Sequence, residues 1–177
     1  MLTVAVIGAG TAGREFAIAC AAAGFQVVLE DVMPEKLRSA AAAFAQLGGT
    51  VELVSTVEDA VRDADLAVDF VPDELESKLE IWSMIDRMAP PRTILCTPSD
   101  ALSITDLASC TYRPDRCVMM RGLSGSGTIR LLSARGTSDP TRAVATELLQ
   151  GLGRIVTAEP DPDLPMLLKN MRAAELV

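Results

Sequence analysis

The stretch Gly8-Ala9-Gly10-Thr11-Ala12-Gly13 constrains this chain more than any other, because of what flanks it. Immediately before it, Thr3-Val4-Ala5-Val6-Ile7 is an apolar run rich in β-branched residues, suited to a strand buried on both faces. Immediately after it, Thr11 to Ala23 is rich in alanine, carries Phe16 and Ile18, and reads as a helix ended by Gly24. A G-x-G-x-x-G loop between a buried strand and a helix gives each glycine a mechanical job. Gly8 permits the tight turn, Gly10 lets a pyrophosphate approach the backbone, and Gly13 lets helix and strand pack closely. The helix start then presents free amides and the positive end of its dipole to the phosphates.

Phe25 to Leu29 reads as a second strand, and Asp31 follows Gly13 by 18 residues at its end. A carboxylate there accepts hydrogen bonds from an adenosine ribose diol and repels a 2′-phosphate. Val32 and Met33, rather than an arginine, come next, so the expected cofactor is NAD rather than NADP. Two other readings of these residues stay open. The glycines can simply make a tight turn with Asp31 capping a helix, and a methyltransferase also holds a ribose with an acid after its second strand.

Strand-like and helix-like segments alternate through the rest of the chain. Pro34 opens a helix running to about Gln46 and stopped by Gly48-Gly49, and Val51 to Val54 is a third strand. Ser55 and Glu58 have capping-box spacing ahead of a short helix. Leu66 to Phe70 is a fourth strand, Asp73 to Ala89 a long helix closed by Pro90-Pro91, and Thr93 to Cys96 a fifth strand. Ser103 and Asp106 repeat the capping spacing before another short helix. Further strands are expected at Cys117 to Leu123, Ile129 to Ala134 and Ile155 to Thr157, with a helix from Pro140 to Leu152. This alternation predicts an α/β fold: a Rossmann-type, doubly wound, mostly parallel sheet with helices on both faces, forming a single domain over residues 1–159. Residues 160–177 read as a C-terminal arm or tail, in which Pro160, Pro162 and Pro165 precede a helix-like Met166 to Leu176.

Composition narrows the function. The 177 residues are 49% hydrophobic and 23% charged, enough to bury one core. Sixteen basic against 24 acidic residues leave a net charge of −8, which argues against gripping nucleic acid or a membrane surface through bulk charge. No apolar run reaches the roughly 18 residues needed to span a bilayer. The four cysteines (Cys20, Cys96, Cys110 and Cys117) show no CxxC spacing and there is no histidine. No metal site is therefore expected, and a reducing cytoplasm fits better than a disulfide framework. The missing histidine also removes the commonest general base.

From the glycine loop onward, residues 3 to about 159 resemble the NAD-binding domain of the 3-hydroxyacyl-CoA dehydrogenase family. The resemblance is carried by Val4 to Gly13, by Val27-Val28-Leu29-Glu30-Asp31, and by Asp65 to Lys78. In the family a stretch similar to the last contributes a carboxylate and a lysine near the nicotinamide half of the cofactor. Asp73 and Lys78 stand at those positions, with Val71 just before them. The resemblance thus implies cofactor-binding residues Gly8, Gly10, Thr11, Ala12, Gly13, Asp31, Val71, Asp73 and Lys78. For Lys78 the alternative is a solvated lysine on a helix face, paired with Glu74 four residues earlier.

The chain departs from the family where catalysis would occur. In Leu95 to Ile104, which resembles the segment meeting cofactor and substrate, Pro98 stands at the family's asparagine and Asp100 at its serine. In Cys117 to Gly125, Arg121 occupies the position of the catalytic histidine and Ser124 that of a nearby asparagine, while the orienting glutamate falls near Ser133. An arginine stays protonated, so Arg121 can bind an anion or stabilise an oxyanion but cannot take a proton. The family's second, all-helical domain is not expected within residues 1–177.

The catalytic candidates are therefore Asp100, Arg121 and Ser124, with Asp73, Lys78, Tyr112 and the cysteines behind them. Asp100 also reads as a turn or capping residue ahead of Ser103, Cys96 as a small buried hydrophobe, and Tyr112 and Trp82 as structural. Three functions remain open: an oxidoreductase acting on a small or carrier-bound 3-hydroxy or 3-oxoacyl substrate, a catalytically silent NAD-binding partner or sensor, and a cyclase or isomerase reusing the cleft. A bare domain of this type leaves its cleft open, so a homodimer or a covering partner protein is expected.

Overall fold

A computed structural model describes residues 1–47, 51–125 and 127–162. Gly48-Gly49 and the Met166 to Leu176 arm lie outside the described residues. Eight strands form one sheet: β1 (Thr3–Ile7), β2 (Gln26–Glu30), β3 (Val51–Val54), β4 (Leu66–Asp69), β5 (Ile94–Pro98), β6 (Cys117–Arg121), β7 (Ile129–Ser133) and β8 (Val156–Pro160). Their spatial order is β3-β2-β1-β4-β5-β6-β7-β8. Every pairing is parallel except β6 with β7. The first six strands end along one edge of the sheet, and the order turns back between β1 and β4, where sheets of this kind bind ligands.

Helices cover both faces. On one lie α1 (Thr11–Ala22), α2 (Pro34–Leu47) and α6 (Asp139–Gly151), whose Phe16, Cys20, Phe44 and Leu148 pack on Val4, Val6, Leu29 and Met120. On the other lie α3 (Val57–Val61), α4 (Leu75–Met88) and α5 (Ile104–Ser109), whose Val61, Trp82, Ile85 and Leu107 pack on Ala5, Ala67 and Leu95. The strands of the centre are buried on both sides, as their unbroken apolar runs require.

Several boundaries differ from the sequence reading for local reasons. The cap of α3 is Thr56, not Ser55: its hydroxyl accepts from the Asp59 amide and donates to the Asp59 carboxylate. That shift puts Val57, Ala60 and Val61 against the sheet. At α5 the expected pair holds, with Ser103 accepting from the Asp106 amide. Helix α4 starts at Leu75 behind Glu74, leaving Asp73 in the loop. Strand β5 continues to Pro98 and β8 to Pro160, since a proline is tolerated at a strand's end. Just past β8, the Asp161 carboxylate accepts from the Ser103 hydroxyl (2.6 Å) and the Thr105 amide (2.9 Å), tying the last described strand to the start of α5.

Candidate cofactor and substrate site

The glycine loop is built as its spacing demands. Gly8 has a φ of +104°, and its amide donates to the Glu30 carbonyl at 2.8 Å, which sets the turn against β2. A side chain on Gly13 would place Cβ 1.9 Å from the Gly8 carbonyl oxygen, so only glycine allows the helix so close. A Cβ on Gly10 would meet nothing within 4 Å. Gly10 is also the N-cap of α1 and offers no side-chain acceptor, so the helix start depends on something else to satisfy its amides.

Asp31 stands beside this loop, 5% exposed. Its Oδ2 accepts from the Ala9 amide (2.9 Å) and its Oδ1 from the Met33 amide (2.8 Å), with Lys36 Nζ 3.3 Å away. The carboxylate thus braces the glycine loop against the start of α2. Burial, and then the charge of Asp31, push the neighbouring Glu30 carboxyl up to about 7, with Lys36 opposing.

A cavity of about 620 Å³ opens over the ends of β1, β4, β5 and β6. Thr11 and Ala12 of α1, then Val71, Asp73 and Lys78 of the β4–α4 segment, line it. So do Asp100 and Ser124. Its apolar floor includes Phe16 and Phe70, whose rings sit 5.3 Å apart and tilted. Gly8, Gly10, Gly13, Asp31 and Arg121 lie outside this lining.

Three loops meet at one wall. Asp73 Oδ2 accepts from the Asp100 amide (3.1 Å), and Asp100 Oδ1 accepts from the Gly122 amide (3.1 Å). Asp100 therefore does not cap α5; Ser103 is the cap, and Asp100 sits in the turn that Ser99 Oγ closes by accepting from the Ala101 and Leu102 amides. Arg121 directs Nε to the Ser99 carbonyl (3.2 Å) and Nη2 to the Leu102 carbonyl (2.7 Å), so its guanidinium holds the β5–α5 loop.

Lys78 is no solvated lysine. It is 1% exposed and donates to Asp69 Oδ1 (2.7 Å) and the Pro98 carbonyl (3.1 Å), not to Glu74. Trp82 packs as expected and also donates its indole N–H to Asp69 Oδ2 at 2.8 Å. The sequence reading missed Asp69, hidden inside an apolar strand, and Arg154, which reaches the cavity from the α6–β8 turn. Arg154 bonds the Leu123 and Gly125 carbonyls, while its buried Nε has no hydrogen-bond partner among the described residues.

The other candidates stand apart. Burial pushes the Cys96 thiol well above its ordinary range and those of Cys20 and Cys117 up to about 12, so none of these offers a thiolate. The Tyr112 ring is 93% exposed, and only its backbone N–H is used, on Asp86.

Comparisons with known proteins agree with this fold. The sequence profile of the 3-hydroxyacyl-CoA dehydrogenase, NAD binding domain, matches residues 3–159. A probable 3-hydroxybutyryl-CoA dehydrogenase of Bacillus subtilis is 30% identical, over 94% of this chain and 64% of its own length. A 5-formyl-3-hydroxy-2-methylpyridine 4-carboxylate 5-dehydrogenase of Mesorhizobium japonicum is 29% identical, over 94% and 60% respectively. Among solved structures, a 3-hydroxyacyl-CoA dehydrogenase of Archaeoglobus fulgidus superposes with a TM-score of 0.80 at 28% identity, covering 99% of this chain and 61% of that one. The chain spans less than two thirds of the length of these relatives. The glycine loop, the open space at Gly10 and the acid after β2 suit an adenine dinucleotide, and NAD is the cofactor that the matched domain binds. The chain belongs to the 3-hydroxyacyl-CoA dehydrogenase family, through that family's NAD-binding domain.

Proposed function

We propose that the chain binds NAD(H) across the carboxyl ends of its strands and acts as an oxidoreductase on a small or carrier-bound 3-hydroxy or 3-oxoacyl substrate. The observation that carries this reading is Gly10: an N-cap without a side chain, with open space where a Cβ would stand, at the mouth of a 12-residue helix. The diphosphate rests on the amides of that helix, and Asp31 takes the adenosine ribose. The other half of the cofactor lies over β4 and β5, beside Val71, Asp73 and Lys78. When bound, NAD supplies the hydride donor or acceptor.

On the substrate side, Asp100 has one carboxylate oxygen engaged by Gly122 and the other without a hydrogen-bond partner among the described residues. It receives the proton of a substrate hydroxyl in place of the absent histidine. Ser124 orients that hydroxyl. A second copy of the chain, or a partner protein, covers the cleft, and the working compartment is the cytoplasm.

Arg121 favours a second reading. Its guanidinium is engaged on loop carbonyls at the position of the family's base, as expected of a silent NAD-binding partner or sensor. Calorimetric titration of NAD and NADH, followed by absorbance of the reduced band with a 3-oxoacyl thioester, separates the two. Binding with turnover, lost in Asp100→Asn, supports the oxidoreductase. NADH binding without any absorbance change supports the silent domain, and no heat from either redox form overturns both. At a hundred times its dissociation constant, NAD is expected to add about 2.7 kcal/mol to stability.

A further inference from the structure

Asp69, Lys78 and Trp82 form a closed polar group inside an apolar layer. Asp69 is fully buried at the end of β4, and the other two, on α4, are each 1% exposed. Both oxygens of Asp69 are taken, one by Lys78 Nζ at 2.7 Å and one by Trp82 Nε1 at 2.8 Å. An ammonium has three N–H groups. Two of those on Lys78 go to Asp69 and to the Pro98 carbonyl, and Lys78 forms part of the cavity wall. Among the described residues the third has no hydrogen-bond partner, which leaves it available to an occupant of that cavity.

A lysine stem has four rotatable carbons, and holding its tip in one place costs rotamer freedom. Here the tip is held by a carboxylate which is itself held by an indole N–H, so the direction of the last N–H is set by residues that never reach the ligand. Buried ion pairs add little net stability compared with apolar residues of similar shape, and their best-attested use is to specify one arrangement. We infer that Asp69 and Trp82 are positioning residues: they aim Lys78 at an oxygen on the nicotinamide half of the cofactor. The half is assigned by the sheet order. The phosphates belong to the end of β1 and the adenosine to β2, on one side of the turning point, while β4 and β5 with Lys78 and Pro98 lie on the other. The inference rests on the reading that the cleft takes NAD.

The test compares NADH with ADP, which lacks the nicotinamide half, by calorimetry on the full chain. Trp82→Phe keeps the ring and removes the N–H. It is expected to weaken NADH about fivefold, the effect of one hydrogen bond, and to leave ADP unchanged. The double variant Asp69→Asn with Lys78→Met removes both charges together, so that neither is left buried alone. It is expected to weaken NADH at least about tenfold, again with ADP unchanged. A purely structural role would lower both affinities together, and that result overturns the inference. So does an unchanged NADH affinity in the double variant. If the unaltered chain binds ADP but gains nothing from the nicotinamide half, the inference falls alone, whereas failure to bind either ligand removes the NAD reading with it.

Discussion

At Gly13 an alanine methyl would stand 1.9 Å from the Gly8 carbonyl oxygen, whereas at Gly10 it would meet nothing within 4 Å. Two substitutions three residues apart should therefore fail differently. Gly13→Ala has to push helix from loop, and thermal unfolding should show a loss of about 3 kcal/mol or more. Gly10→Ala should cost less than about 1 kcal/mol, because alanine is only a poorer N-cap, yet weaken NAD at least about tenfold in calorimetry by filling the space the diphosphate needs. The backbone roles of Gly8 and Gly13 were legible because a loop of fixed spacing between strand and helix admits few geometries. The surroundings of Lys78 were not. Helix spacing directs attention to Glu74, whereas the true partner, Asp69, lies on the preceding strand and is found only when α4 folds back over β4. Arg121 is similar: its place in the chain was readable, but its attachment to the Ser99 and Leu102 carbonyls depends on how another loop turns.

The junction of β2 with α2 concentrates charge, with Glu30, Asp31 and Lys36 in contact range and the first two buried. Glu30 has an ordinary value of 4.5 and is raised to about 7 in the fold, so the folded chain holds this proton more tightly than the unfolded chain does. Its contribution is intact below the ordinary value and is lost as pH rises toward and through about 7. Melting temperature should thus fall between about pH 5 and about pH 8, and Glu30→Gln should flatten that part of the profile. An equally steep decline in the variant would show that another group is responsible. Most elements were readable from period and punctuation to within a residue or two. The offsets have local causes. The cap of α3 moved by one because burial of Val57 and Val61 sets the phase of so short a helix, and β5 and β8, expected to end at Cys96 and Thr157, each run on to a paired proline.

For the whole molecule, alternating strands and helices announced a layered, mostly parallel sheet. The reversal of β7 was implicit in the short glycine-rich connection after β6, which cannot hold a crossover. Whether a second copy covers the cleft can be measured directly. Light scattering should give two copies of the 18.7-kDa chain, and a monomer over a wide concentration range would leave only a separate partner to cover the cleft. Asp161 links two distant stretches of the chain. By gripping Ser103 and Thr105 it leashes the far end of the described chain to the loop that carries Asp100. The close of the last strand and the wall against which a substrate would rest are thereby moored to each other.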